Sequence, residues 1–122
     1  MKLHLTTAEN NNLITAYDAD YIEINKQRYT QNLIVMPDAL ILDWQVTGFT
    51  DLSNEHFKQI ASLKPEVVLL GTGATHLFLH PKHYQNLTDI DIALECMTTA
   101  AACRTYNILM SEGRNVAAAL II

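Results

Sequence analysis

Cysteine is scarce in this chain, and the spacing of the 2 present excludes the common cysteine chemistries. Cys96 and Cys103 stand seven apart, which fits neither a redox pair nor a paired zinc knuckle. Both are expected to be reduced, structural thiols. Basic residues are few as well: 8 lysines and arginines face 13 acids, a net charge of -5. Phosphate neutralisation needs a basic surplus, so this balance argues against nucleic-acid binding. Long apolar runs are missing. The longest, Val116 to Ile122, falls far short of the ~20 residues that span a bilayer. Met1 to Thr7 carries one lysine and no apolar run long enough for a signal-peptide core. The expectation is a cytoplasmic protein with no membrane insertion. No repeat, low-complexity tract or long linker divides the sequence, so residues 1–122 read as one domain, within the usual ~100–150 residues. An apolar share of 49% suffices for one core.

Short β-type runs fill the stretch from Lys2 to Asp43. Leu13 to Tyr17 follows a polar cluster. Tyr21–Ile24 and Gln27–Thr30 flank Asn25-Lys26, a hairpin turn because asparagine tolerates positive φ. Leu33 to Met36 runs into Pro37-Asp38, and Leu40 to Asp43 resumes the strand pattern. From Ser53 onward the period changes. Ser53 suits an N-cap, Leu52 and Phe57 form a hydrophobic staple, and Phe57, Ile60 and Ala61 make one apolar stripe before Pro65. Val67-Val68-Leu69-Leu70 is apolar without alternation, as a strand covered on both faces would be. Pro81 opens a short helix through Tyr84 and Leu87. Ile90 to Leu94 alternates like a strand, Thr98 to Glu112 reads as a helix ending before Gly113, and Val116 to Ile122 is a last buried strand. The fold class is therefore α/β: a single layered domain, a mixed sheet flanked by helices, with N-terminal β-hairpins.

The second half carries the distinctive residues. Val67-Val68-Leu69-Leu70-Gly71-Thr72-Gly73, the stretch Met97 to Leu109, and Glu112-Gly113-Arg114-Asn115 running into Val116–Ile121 together resemble the domain of unknown function 498 family. Pro37-Asp38 and Trp44 fit its earlier part, so the resemblance runs from about Leu33 onward. It implies a compact α/β domain with an unusual hairpin arrangement. It implies no established activity: bacterial members are largely uncharacterised, and the eukaryotic branch includes a mitochondrial complex I assembly factor. Family members often have an acid where Thr98 stands and glycines where Asp89 and Asp91 stand. As an N-cap, threonine replaces the acid well.

The candidate sites follow from the residues themselves. Gly71-Thr72-Gly73 ends a buried strand, where α/β sheets place ligands. The turn lacks the third glycine of a dinucleotide fingerprint and the lysine of a phosphate loop, since Ala74-Thr75-His76 follows. A tight turn is the plain reading, and a small-ligand or anion contact the second. On the following helix, Thr99, Ala102, Cys103, Tyr106, Leu109 and Met110 share a core face. Arg104, Asn107 and Ser111 form a polar strip, while Ile108 points nearly opposite the core. Arg104 suits pairing with Glu95 or capping carbonyls; beside Ile108 it also marks a partner-facing patch. His76, His80 and His83 give no metal set. An extended 76–80 separates its end histidines by roughly 13 Å, and no cysteine completes the ligands. Asp89 and Asp91 fall on one solvent-facing strand edge. Cys103 is expected to be buried and inert, and Cys96 opposed by Glu95.

No catalytic residue, metal or cofactor is assigned. Two functions remain. The first is a non-enzymatic protein-interaction or assembly-accessory protein, a monomer or homodimer. The second is a small-molecule or anion-binding domain, or a simple enzyme. The candidate surface for either comprises Gly71, Thr72, Gly73, Thr98, Thr99, Arg104, Asn107 and Ile108.

Overall fold

The computed structural model describes residues 11–122. The expected early β-type run from Lys2 and the reading of Met1 to Thr7 lie outside them. Three strands, β1 (Ile14–Asp18), β2 (Tyr21–Ile24) and β3 (Gln27–Tyr29), form an antiparallel sheet in that order. The β2–β3 turn places Asn25 and Lys26 at φ of 51° and 73°, the left-handed pair that matches the twist of a two-residue hairpin. Asn25 also accepts a 2.9 Å bond from the Leu13 amide through its side chain.

The second sheet is mixed, with strand order β5-β4-β8-β6-β7. It comprises β4 (Leu33–Met36), β5 (Ala39–Ile41), β6 (Val67–Gly71), β7 (Ala93–Met97) and β8 (Val116–Leu120). β6 runs parallel to both β7 and β8, and β4 runs antiparallel to β5 and β8. The two unbroken apolar runs, β6 and β8, are adjacent and central, as strands covered on both faces should be. Their residues alternate between two cores. Val67, Leu69, Val116, Ala118 and Leu120 pack with helix α3 (Thr99–Ser111) and the first sheet. Val68, Leu70, Ala117, Ala119 and Ile121 pack with Trp44, Leu87 and helix α1 (Asn54–Ser62). The small alanines of β8 are matched by large buried side chains: Tyr106 on one face, Trp44 and Phe57 on the other. The result is a three-layer α/β arrangement, as the sequence indicates.

Helix ends follow local chemistry. At α1, the Ser53 amide donates to His56 Nδ1 at 3.1 Å, so histidine takes the place usually held by glutamate or glutamine in a capping box. At α3, Thr98 Oγ1 accepts from the Ala101 amide at 3.2 Å, making Thr98 the N-cap. Gly113 follows the C-terminal end with φ of 83°. One element is displaced from expectation. Ile90–Leu94 is not the strand; β7 begins at Ala93. A short helix α2 (Gln85–Thr88) follows the 3-10 turn at Pro81–Tyr84. Beyond it the chain turns back, with Asp91 at φ 61° and the Ile92 amide bonded to Leu87 O at 2.9 Å. Asp89 and Asp91 therefore occupy a turn, not a strand edge. No helix among the described residues is long and apolar enough to cross a membrane.

Candidate functional site

Gly71, Thr72 and Gly73 end β6 directly beside the start of α3. The approach is close enough that a Cβ on Gly71 would lie 2.9 Å from Thr99 Oγ1 and 3.0 Å from Thr99 Cα. That closeness lets one hydroxyl tie three segments: Thr99 Oγ1 accepts from the Gly73 amide at 2.8 Å and donates to Ile121 O at 2.5 Å. The Thr99 amide in turn donates to Gly73 O at 3.0 Å. Thr72 is buried, and its hydroxyl donates to Thr75 O at 2.6 Å while accepting from the Leu77 amide at 3.2 Å. Buried polar groups need such partners. Every hydroxyl of the turn and of the first helical residues is thus engaged within the protein.

Above these residues lies a cavity of about 560 Å³, bounded by the β1–β2 turn, the Phe49–Asp51 3-10 turn, the start of α3 and the end of β8. Thr72, Gly73, Thr98 and Thr99 line it, together with Tyr17, Asp18, Ala19, Phe49, Ala74, Ala100, Ile121 and Ile122. Gly71, Arg104, Asn107 and Ile108 are not in its wall. The walls are mainly aliphatic and aromatic, the usual character of a binding concavity, with Asp18 as its charged member. Tyr17, Ala19 and Phe49 were not foreseen, because no short-range pattern in the sequence ties the first hairpin to the helix start.

The polar strip of α3 has two distinct uses. Asn107 accepts from the Ile14 amide at 3.0 Å and donates to Ile14 O at 2.8 Å, so its side chain docks β1 as a neighbouring strand would. Arg104 is exposed and donates to the Tyr17 hydroxyl at 3.1 Å, instead of pairing with Glu95. Tyr17 links the strip to the cavity, since it receives Arg104 and also forms part of the wall. Ile108, one turn further along α3, is 57% exposed.

Both cysteines are free thiols. Burial pushes the Cys103 thiol up to about 12, only partly countered by the charge of Arg104. It is protonated at neutral pH and unsuited to nucleophilic attack. Burial also raises Cys96, with the Glu95 carboxylate adding to the effect and a bond involving the Leu79 backbone opposing it. A second concavity, of about 630 Å³, lies along the polar face of α1 between Asp43–Gln45 and Glu55–Ser62. It gathers none of the candidate-surface residues named from the sequence. Trp44 borders it, fully buried, its ring edge-on to His56 and its indole N–H without a partner among the described residues.

The family described as "Protein of unknown function (DUF498/DUF598)" matches residues 14–121. A curated zebrafish (Danio rerio) relative, NADH dehydrogenase [ubiquinone] 1 alpha subcomplex assembly factor 3, is 39% identical over 111 residues, covering 89% of this chain and 63% of the relative. The chain spans less than two thirds of the length of the assembly-factor relatives it matches. A crystal structure from Bordetella parapertussis superposes with a TM-score of 0.86 at 39% identity, covering 91% of this chain and 95% of that one. An NMR structure from Xanthomonas campestris gives 0.82 at 40% identity, covering 91% and 84%. The sequence resemblance, the three-layer fold and these matches agree, and the chain belongs to the DUF498/DUF598 family of proteins of unknown function.

Proposed function

We propose that this protein acts without catalysis, as a protein-interaction or assembly-accessory domain. The observation that carries this reading is the engagement of the polar groups around the Gly71–Gly73 turn. The hydroxyls of Thr72 and Thr99 and the Gly73 amide are bonded to neighbouring atoms of the protein. What they leave is an apolar concavity beside an exposed arginine and an exposed isoleucine, a surface suited to side chains of another protein. The assembly-factor names of the curated relatives support the same reading. On this proposal the whole chain, 1–122, works as one unit in a reducing compartment such as the cytoplasm, as two free thiols favour. Cross-linking in cells with wild-type and Ile108→Asp protein tests it. A discrete partner lost in the variant supports the assignment, whereas identical profiles, or no partner, count against it.

One observation favours a second reading, a small-molecule-binding domain. A cleft of about 560 Å³ does lie between the turn and the helix start, within the size range of ligand pockets. A bound metabolite co-purifying in this cavity would reverse the ranking.

A further inference from the structure

We infer that the cavity and the α3 stripe Ala100–Arg104–Ile108 form one docking groove for a protein segment carrying an apolar side chain and a carboxylate. This rests on the interaction reading and makes it specific. The three residues recur every fourth position, so they climb one edge of the helix over about 12 Å. Ala100 lines the cavity, Arg104 reaches its wall through the bond to Tyr17, and Ile108 stands exposed one turn further along.

Charge identifies the occupant. The chain has three arginines. Arg28 meets Glu23 at 3.6 Å and Arg114 meets Glu66 at 2.9 Å. Arg104 has no carboxylate within ion-pair distance among the described residues, in a chain whose acids outnumber its bases by 13 to 8. Its bond to Tyr17 orients the guanidinium and leaves further N–H donors for a carboxylate, which arginine binds through two parallel bonds. The cavity asks for the opposite chemistry. Tyr17, Phe49 and Ile121 offer apolar walls, and the threonine hydroxyls are already engaged. Asp18, on the cavity side, repels a carboxylate there. The segment is therefore ordered: its apolar side chain enters the cavity, and its acid lies further along the helix at Arg104.

Phage selection of random linear peptides on the folded chain tests this. The most enriched peptide is then synthesised and titrated into the isotope-labelled protein by NMR. The expected peptide carries an apolar residue and an aspartate or glutamate, and it shifts resonances of Tyr17, Ala100 and Ile108. Arg104→Glu should weaken it about tenfold or more, and replacing the peptide's acid by lysine should restore binding to that variant. Ala100→Leu, which fills the cavity, should weaken it independently. Unchanged melting temperatures for both variants establish that they fold. Enriched peptides without an acid, or binding indifferent to both variants, overturn the groove while leaving the interaction reading to the cross-linking experiment. Failure of any peptide to enrich also overturns the groove.

Discussion

Replacing Gly71 by alanine should damage the fold by overpacking. The added Cβ would meet Thr99 Oγ1 at 2.9 Å, Thr99 Cα at 3.0 Å and Leu120 Cδ2 at 3.1 Å, whereas the other glycines have open space at that position. One of these atoms is backbone and another accepts and donates the bonds joining Gly73 to Ile121, so neither of these two yields freely. Overpacking of this kind costs about 1–3 kcal/mol. Weakening two hydrogen bonds adds about 1 kcal/mol each. Lower backbone entropy in the unfolded alanine chain offsets about 0.5–1 kcal/mol. The net expectation is a loss of about 2–4 kcal/mol, or roughly 8–16 °C in melting temperature for a domain of this length. Thermal unfolding by circular dichroism measures it. The double variant Gly71→Ala/Thr99→Ala removes the closest contact, so its loss should fall short of the sum of the two single losses. A Gly71→Ala protein that melts at or above the wild-type temperature would refute the close-approach argument.

Three further outcomes follow from particular side chains. Asn107→Ala removes both bonds to Ile14 and leaves its backbone groups short of partners, so amide exchange over residues 14–29 should quicken and stability fall by about 2–4 kcal/mol; unchanged exchange there would show that apolar packing alone holds the hairpin. The Glu66 carboxyl is held below its usual value by the Asn115 amide and by Arg114. Its stabilising contribution is complete above the ordinary carboxylate pKa and disappears as pH falls through the lowered one. Melting temperatures of wild type and Glu66→Gln should therefore differ at pH 7 and converge as pH falls below the lowered pKa, and a constant gap would contradict the ionic origin. Finally, iodoacetamide should modify half-buried Cys96 well before Cys103, whose thiol is buried and pushed up to about 12; peptide mapping of the native protein reads the order, and equal rates would contradict the burial argument.

The parts of the fold legible in the sequence were those in which one local signal dominates. Unbroken aliphatic runs marked β6 and β8 because both faces of those strands are covered. Ser53, Thr98 and Gly113 marked helix ends through capping chemistry that involves only nearby residues. Ile90, Ile92 and Leu94 misled, since their alternation imitates a strand while the Ile92 amide closes on Leu87 and β7 starts at Ala93. The site was legible in half. The turn and helix start lie next to each other because β6 and β7 are parallel neighbours, with Gly71 beside Met97, and α3 follows β7 at once. The other wall of the cavity, Tyr17 to Ala19 and Phe49, arrives by tertiary packing. The bonds that fix it, Arg104 to Tyr17 and Asn107 to Ile14, join residues 87 and 93 positions apart. No periodicity records a contact over such a separation.

The most direct test of the docking role places a photo-activated cross-linking residue at Ile108 and, as a control, at Lys58 on the exposed face of α1. A discrete cross-linked protein is expected from position 108, absent from position 58 and lost when Arg104→Glu is introduced. A cross-link from 108 that survives Arg104→Glu, or one that forms equally from 58, would contradict the docking role.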